Sequence, residues 1–155
     1  MTTIAVRDGI IAADSSITAG STRSPPGSVS KLILGKRHKV VYAGAGDFSL
    51  IHAAVHALER LRTPPWSSKV ARECDLSLGD DTILLVLTKK HGLITFEGEG
   101  WYPINSGGFY AIGSGETAAL AAMWCGKSAV EAVEIACKVD TGSTLPVLWH
   151  AIADI

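Results

Sequence analysis

A threonine directly behind Met1 can do chemistry that an internal threonine cannot, and this chain opens Met1-Thr2-Thr3-Ile4. A threonine hydroxyl is a weak nucleophile and needs a base beside it. Once Met1 is removed, the freed α-amine of Thr2 can serve as that base, directly or through a water, because its unperturbed pKa is about 8. The small Thr2 side chain permits removal of Met1 by a methionine aminopeptidase. Further along, Ala43-Gly44-Ala45-Gly46-Asp47 offers backbone rather than side chains. A glycine lets a substrate backbone approach closely, and its N–H can stabilise a tetrahedral oxyanion. The same stretch also reads as a plain strand-to-helix turn. Two other signals lead nowhere. His52 and His56 have a metal-compatible helical spacing, but no third ligand is evident and the Glu of H-E-x-x-H is missing. Gly113-Ser114-Gly115-Glu116 lacks the second half of any nucleotide-binding fingerprint. No metal and no cofactor are expected.

The elements that must position these groups can be read from periodicity and turn chemistry. Thr3 to Val6 and Ile10 to Ala13 are short β-prone runs joined at Asp8-Gly9, a strong hairpin signal. Asp14 therefore falls at the end of the strand paired with that of Thr2, close to the nucleophile, although a turn-capping aspartate would look the same. Residues 15–30 are rich in Ser, Thr, Gly and Pro and read as a surface loop or one bordering a cleft. Lys31 to Leu34 and Lys39 to Ala43 form a second strand pair. Asp47 caps a helix from Phe48 to about Arg62, ended by Thr63-Pro64-Pro65-Trp66. Thr82 to Thr88 and Gly92 to Phe96 form a hairpin, and Phe109 to Ile112 is a strand. Two helices follow, Glu116 to Cys125 and Ser128 to Lys138, the second opening on a Ser128/Glu131 capping box. Leu145 to Ile152 closes as a strand with Pro146 near its start, which suits an edge. Strands, helix, strands, two helices and a strand predict a layered α+β domain spanning 1–155.

Met1-Thr2-Thr3-Ile4, Asp14, Lys31, Ala43-Gly44-Ala45-Gly46-Asp47 and Gly113-Ser114-Gly115 together resemble the bacterial HslV protease subunit and proteasome β-subunits, in the same order and at similar spacings. The resemblance covers essentially the whole chain. It implies the four-layer αββα sandwich of N-terminal nucleophile hydrolases and the activity of a threonine peptidase. Under it, Thr2 is the nucleophile and Lys31 a fixed ammonium that favours the alkoxide and holds the amine's pKa down. Asp14 pairs with Lys31. Gly44 supplies the oxyanion amide, with Gly46 as fallback because the spacing from Lys31 differs from that of HslV by an extra residue. Ser114 lies near the threonine amine, though it can equally be the N-cap of the next helix. Asp140 and Ser143 match the proteasome D-x-x-S pair, where HslV differs; an aspartate after a helix is also a common turn residue. Tyr42, sharing a strand face with Gly44 by the two-residue period, is placed near the pocket for the residue before the scissile bond or else in the core. The first hairpin and the segment after Arg62 are shorter than in HslV, which leaves ring formation open.

Bulk composition fits this reading. The chain has 155 residues, with 14 basic against 15 acidic side chains, so no electrostatic footprint for nucleic acid or membrane is expected. No run approaches a membrane span, and the opening residues carry no signal-peptide pattern. Cys74, Cys125 and Cys137 form no C-x-x-C pair and suggest buried thiols in a reducing, cytoplasmic compartment. Trp66, Trp101, Trp124 and Trp149 read as core or subunit-interface residues. The resemblance implies protein or peptide substrates, a homo-oligomeric ring and a separate ATP-dependent unfoldase, since the chain has no Walker motif. Two alternatives stand beside it: a stand-alone amidase with the same nucleophile, and a non-catalytic shell subunit that keeps Met1.

Overall fold

A computed structural model describes residues 1–61, 76–104 and 108–155. Two antiparallel sheets form its centre. In the first, β1 (Thr3–Arg7) pairs with β2 (Ile10–Ala13), and the strand order is β10-β1-β2-β11, with β10 Phe109–Gly113 and β11 Leu148–Ala151. The β1–β2 turn uses Asp8 at φ 51° and Gly9 at φ 75°, the left-handed pair that a two-residue hairpin demands. The second sheet has the order β5-β6-β7-β8-β9: β5 Leu32–Leu34, β6 Val40–Ala45, β7 Ile83–Thr88, β8 Gly92–Glu97 and β9 Gly100–Pro103.

Alternating side chains sort the core into three layers. Val41, Ala43 and Ala45 of β6 and Leu85 and Leu87 of β7 face Ile4, Val6, Ile11 and Ile112 of the other sheet. The opposite face of the second sheet, with Tyr42, Leu84, Val86 and Phe96, packs on α1 (Phe48–Leu58) through Ile51, Val55 and Leu58. Across the first sheet lie α2 (Glu116–Trp124) and α3 (Ala129–Val139). That layer is built from small residues: Ala5, Ala12 and Ala111 meet Ala119, Ala132 and Ala136. Alanine on both sides lets the helices lie close to the strands. Helix, sheet, sheet, helix is the expected αββα sandwich.

Several local expectations are corrected. The segment 15–30 holds a two-stranded ribbon, β3 (Thr18–Ala19) with β4 (Thr22–Arg23), turning at Gly20. β9 had no strand signal, since Gly100 and Pro103 disguise it; as an edge strand it tolerates both. The last strand is shorter than read, starting at Leu148 and ending in a 3₁₀ turn, Ile152–Asp154. Helix α1 stops at Leu58, and residues 62–75, which include the Pro64-Pro65-Trp66 segment and Cys74, lie outside the described residues. Cys125 is exposed and Cys137 half-buried, so the buried-thiol expectation fails for Cys125. Trp101 is core, whereas Trp124 and Trp149 are exposed. Among the described residues no helix is long and apolar enough to cross a membrane.

Candidate active site

β1 begins at Thr3 in the middle of its sheet, so Thr2 is held just beyond the strand end rather than left loose. β2, hairpinned to β1, ends at Ala13 and delivers Asp14 beside it. Asp14 is fully buried, and four donors surround its carboxylate. Thr3 N–H and Lys31 Nζ donate to Oδ1 at 2.8 and 2.7 Å; Ser16 N–H and Thr144 N–H donate to Oδ2 at 2.8 and 3.0 Å. Burying a carboxylate is costly unless it is paired and hydrogen-bonded, and here both conditions hold.

Lys31 enters from the second sheet, one residue before β5. Its ammonium has three protons and finds three acceptors: Asp14 Oδ1 at 2.7 Å, Thr2 Oγ1 at 3.0 Å and the Met1 carbonyl at 3.1 Å. Burial pulls the Lys31 pKa below its ordinary 10.5, against the opposing attraction of Asp14. The result is a desolvated cation aimed at the Thr2 hydroxyl.

A second polar chain reaches Thr2 from the helix side. Thr2 N–H donates to Ser114 Oγ at 3.2 Å, and Ser114 Oγ–H donates to Asp140 Oδ2 at 2.7 Å. Ser143 Oγ–H donates to the same carboxylate oxygen at 2.6 Å. Since that hydroxyl has one proton, the 2.6 Å contact between Thr3 Oγ1 and Ser143 Oγ is donated by Thr3. Asp140 is the C-cap of α3, which is why the helix end meets the strand end here. Partial burial works to raise the Asp140 pKa, but the Ser143 and Ser114 hydrogen bonds outweigh it and hold the group below its ordinary 3.8. Gly113 and Gly115 flank Ser114 for steric reasons: a Cβ on either would collide with Thr2 or Thr3. Burial, chiefly, pushes the nearby Cys137 thiol up to about 11, so it stays protonated at neutral pH.

The chain thus brings Thr2, Asp14, Lys31, Ser114, Asp140 and Ser143 into one hydrogen-bonded cluster. Gly44 and Gly46 lie across a cleft of about 430 Å³ that is also lined by Thr2 and Lys31. Gly46 has φ 117°, and a Cβ there would stand 2.6 Å from Thr82 Oγ1, so glycine is required. The ribbon segment contributes the facing wall through Ile17 and Thr18, which makes 15–30 a cleft border. Tyr42 is the exception. The two-residue period does put it on the face of Gly44, but one step of that period is roughly 7 Å along the strand. That distance carries Tyr42 under the far end of α1, fully buried, with its hydroxyl donating to Glu59 at 2.7 Å. It is a core residue and does not line the cleft. Thr3, Ser16 and Thr144 are not singled out from sequence; all three reach Asp14 through backbone N–H groups, which residue type cannot reveal. A larger concavity of about 570 Å³ opens at the other end of β1, near Asp8 and Lys89, away from all these groups. Among the described residues no cluster of His, Cys, Asp and Glu could hold a metal ion.

Neither a protein-family model nor a curated protein matches the sequence. Solved structures do match the fold. BPH of Thiobacillus denitrificans in complex with epoxomicin aligns with a TM-score of 0.73 at 20% identity, over 97% of each chain. A second structure of that BPH gives a TM-score of 0.71 at 20% identity, over 97% of this chain and 96% of the other. The eukaryotic HslV from Trypanosoma brucei gives 0.68 at 20% identity, over 97% and 98%. The likeness covers 97% of the chain, and it establishes that this chain has the αββα fold of HslV and BPH.

Proposed function

We propose that the protein is a threonine peptidase in which Thr2 becomes the nucleophile once Met1 is removed. The observation that carries this reading is the placement of Lys31 Nζ, 3.0 Å from Thr2 Oγ1 and 2.7 Å from the buried Asp14. In the mature chain the Thr2 α-amine takes the hydroxyl proton as Oγ1 attacks the peptide carbonyl carbon. The carbonyl π electrons move to oxygen, and the oxyanion is met by the Gly44 N–H across the cleft. The amine then passes its proton to the leaving nitrogen as the C–N bond breaks, which leaves an ester on Thr2. Water, activated by the same amine, hydrolyses that ester. Lys31 acts electrostatically: an ammonium paired with Asp14 and donating to Thr2 Oγ1, it favours the developing alkoxide without serving as the base. Ser114, oriented by Asp140 and Ser143, holds the amine in place. While Met1 remains, Thr2 N is an amide nitrogen with no basic lone pair, and the cycle cannot start.

The fold shared with HslV, and with a BPH that forms a complex with epoxomicin, supports this reading and extends it. We assign the chain to a cytoplasmic homo-oligomeric ring that degrades protein or peptide substrates, served by a separate ATP-dependent unfoldase. Peptide hydrolysis by purified variants tests the chemistry. Thr2→Ala should lower turnover by roughly a thousandfold or more, the scale seen when a nucleophile is removed, while Thr2→Ser should keep a measurable fraction. Unchanged turnover in Thr2→Ala would remove Thr2 from the reaction.

A further inference from the structure

We infer that the cleft beside Thr2 selects a cationic side chain, lysine or arginine, for the residue on the acyl side of the bond that is cut; this rests on the peptidase reading above. Among the described residues, Lys31 and Asp47 are the two charged side chains that line the cleft. Lys31 is paired with the buried Asp14 at 2.7 Å and donates to Thr2 Oγ1 at 3.0 Å, so its charge is committed to the nucleophile. Asp47 is exposed, and only its Oδ1 is engaged, accepting from Ser49 N–H at 2.8 Å and Leu50 N–H at 3.2 Å. Its Oδ2 has no hydrogen bond among the described residues.

The backbone holds Asp47 in place: its N–H donates to Thr82 Oγ1 at 3.0 Å, and Gly46 before it lies so close to the Asp81 carbonyl that a Cβ would collide. The N-terminus of α1 would by itself attract an anion, but Asp47 already caps two of its N–H groups. Phe48 follows Asp47 on the same wall, partly exposed, and presents a ring to which an ammonium or guanidinium is drawn. The opposing wall at Ile17, Thr18 and Ala19 is uncharged and suits an aliphatic stem. The cleft, about 430 Å³, has room for a long side chain, and Ile51 packs directly on Gly44 as its apolar floor, where an added Cβ would come within 2.6 Å of Ile51 Cδ1. Tyr42 does not obstruct it.

The test compares kcat/KM for fluorogenic peptides that differ only in that residue, Arg, Leu or Glu, using protein whose mass shows Met1 removed. The expected order is Arg above Leu above Glu, with the Arg-to-Leu ratio falling as ionic strength rises. Asp47→Asn keeps the helix cap, since asparagine caps as well as aspartate, and should reduce the Arg-to-Leu ratio roughly fivefold. Cleavage with Glu preferred, or an Arg-to-Leu ratio indifferent both to salt and to Asp47→Asn, would overturn the selectivity while leaving the peptidase intact. Hydrolysis of none of the three would overturn the peptidase reading and this inference with it.

Discussion

Lys31 places a buried positive charge within hydrogen-bonding distance of a hydroxyl, and its chemistry dictates the expected pH dependence. Its pKa lies below the ordinary 10.5 because burial disfavours the ammonium. Hydrolysis should therefore rise with pH as the Thr2 amine loses its proton, near about 8 for an unperturbed amine, and fall again before pH 10.5 as Lys31 is neutralised. A pH–rate profile of the mature protein checks this; activity still climbing at pH 10.5 would mean that Lys31 is not needed as a cation. Asp140 supplies a stability test. Its folded pKa is below 3.8, so the unfolded chain binds a proton more readily and the stabilisation is present above that value and lost as pH falls through the lower folded pKa. The difference in denaturant midpoint between the parent and Asp140→Asn should be constant at neutral pH and close as the solution is acidified below about pH 4. At this scale the sequence is informative wherever a residue's place follows from a strand end: Thr2, Asp14 and Lys31 stand together because β1, β2 and β5 converge. It is uninformative for Tyr42, because period two says which face a side chain occupies and not how far along the strand the cleft lies.

Helix ends and tight turns decide how well the elements hold the cluster. The Ser128/Glu131 capping box that starts α3 is complete in both directions, and α3 ends on Asp140. Ser128→Ala should cost about 1 kcal/mol in chemical denaturation, the usual worth of such a cap; no change would mean that the helix is held by packing alone. Gly46→Ala combines a left-handed φ of 117° with a collision against Thr82 and Asp81, and should cost about 2–3 kcal/mol. Gly79, also at positive φ but with open space around it, should cost only about 1 kcal/mol when replaced by alanine, a contrast the same titrations would expose. The elements read correctly from sequence carry local signals, such as Asp8-Gly9, the Asp47 cap and the continuous apolar run through Ile83–Thr88. Those missed do not. β9 is set by pairing with β8, with Trp101 stacked on Phe96 at 4.2 Å, and the ribbon β3–β4 spans two residues on each side.

The molecule is a sandwich whose inter-sheet layer is largely apolar, and the order of elements in the sequence already implied a layered α+β domain, with the four layers implied by the resemblance. Association is another matter, because it depends on surfaces that no periodicity reports. Trp124, Val139, Leu145 and Trp149 are large apolar side chains exposed at 79%, 69%, 51% and 51%, the kind of surface a subunit interface covers. Light scattering should give a particle several times the chain mass, whereas a monomer at working concentration would favour the stand-alone amidase. Either outcome leaves the central chemical claim untouched, and one measurement addresses that claim alone. The intact mass of the protein is recorded before and after incubation with a peptide epoxyketone, whose adduct requires a hydroxyl and a free amine on the same residue. The prediction is a chain lacking Met1 that gains a single adduct, with none in Thr2→Ala. A chain lacking Met1 that gains no adduct, or an adduct that persists in Thr2→Ala, would contradict an N-terminal threonine nucleophile.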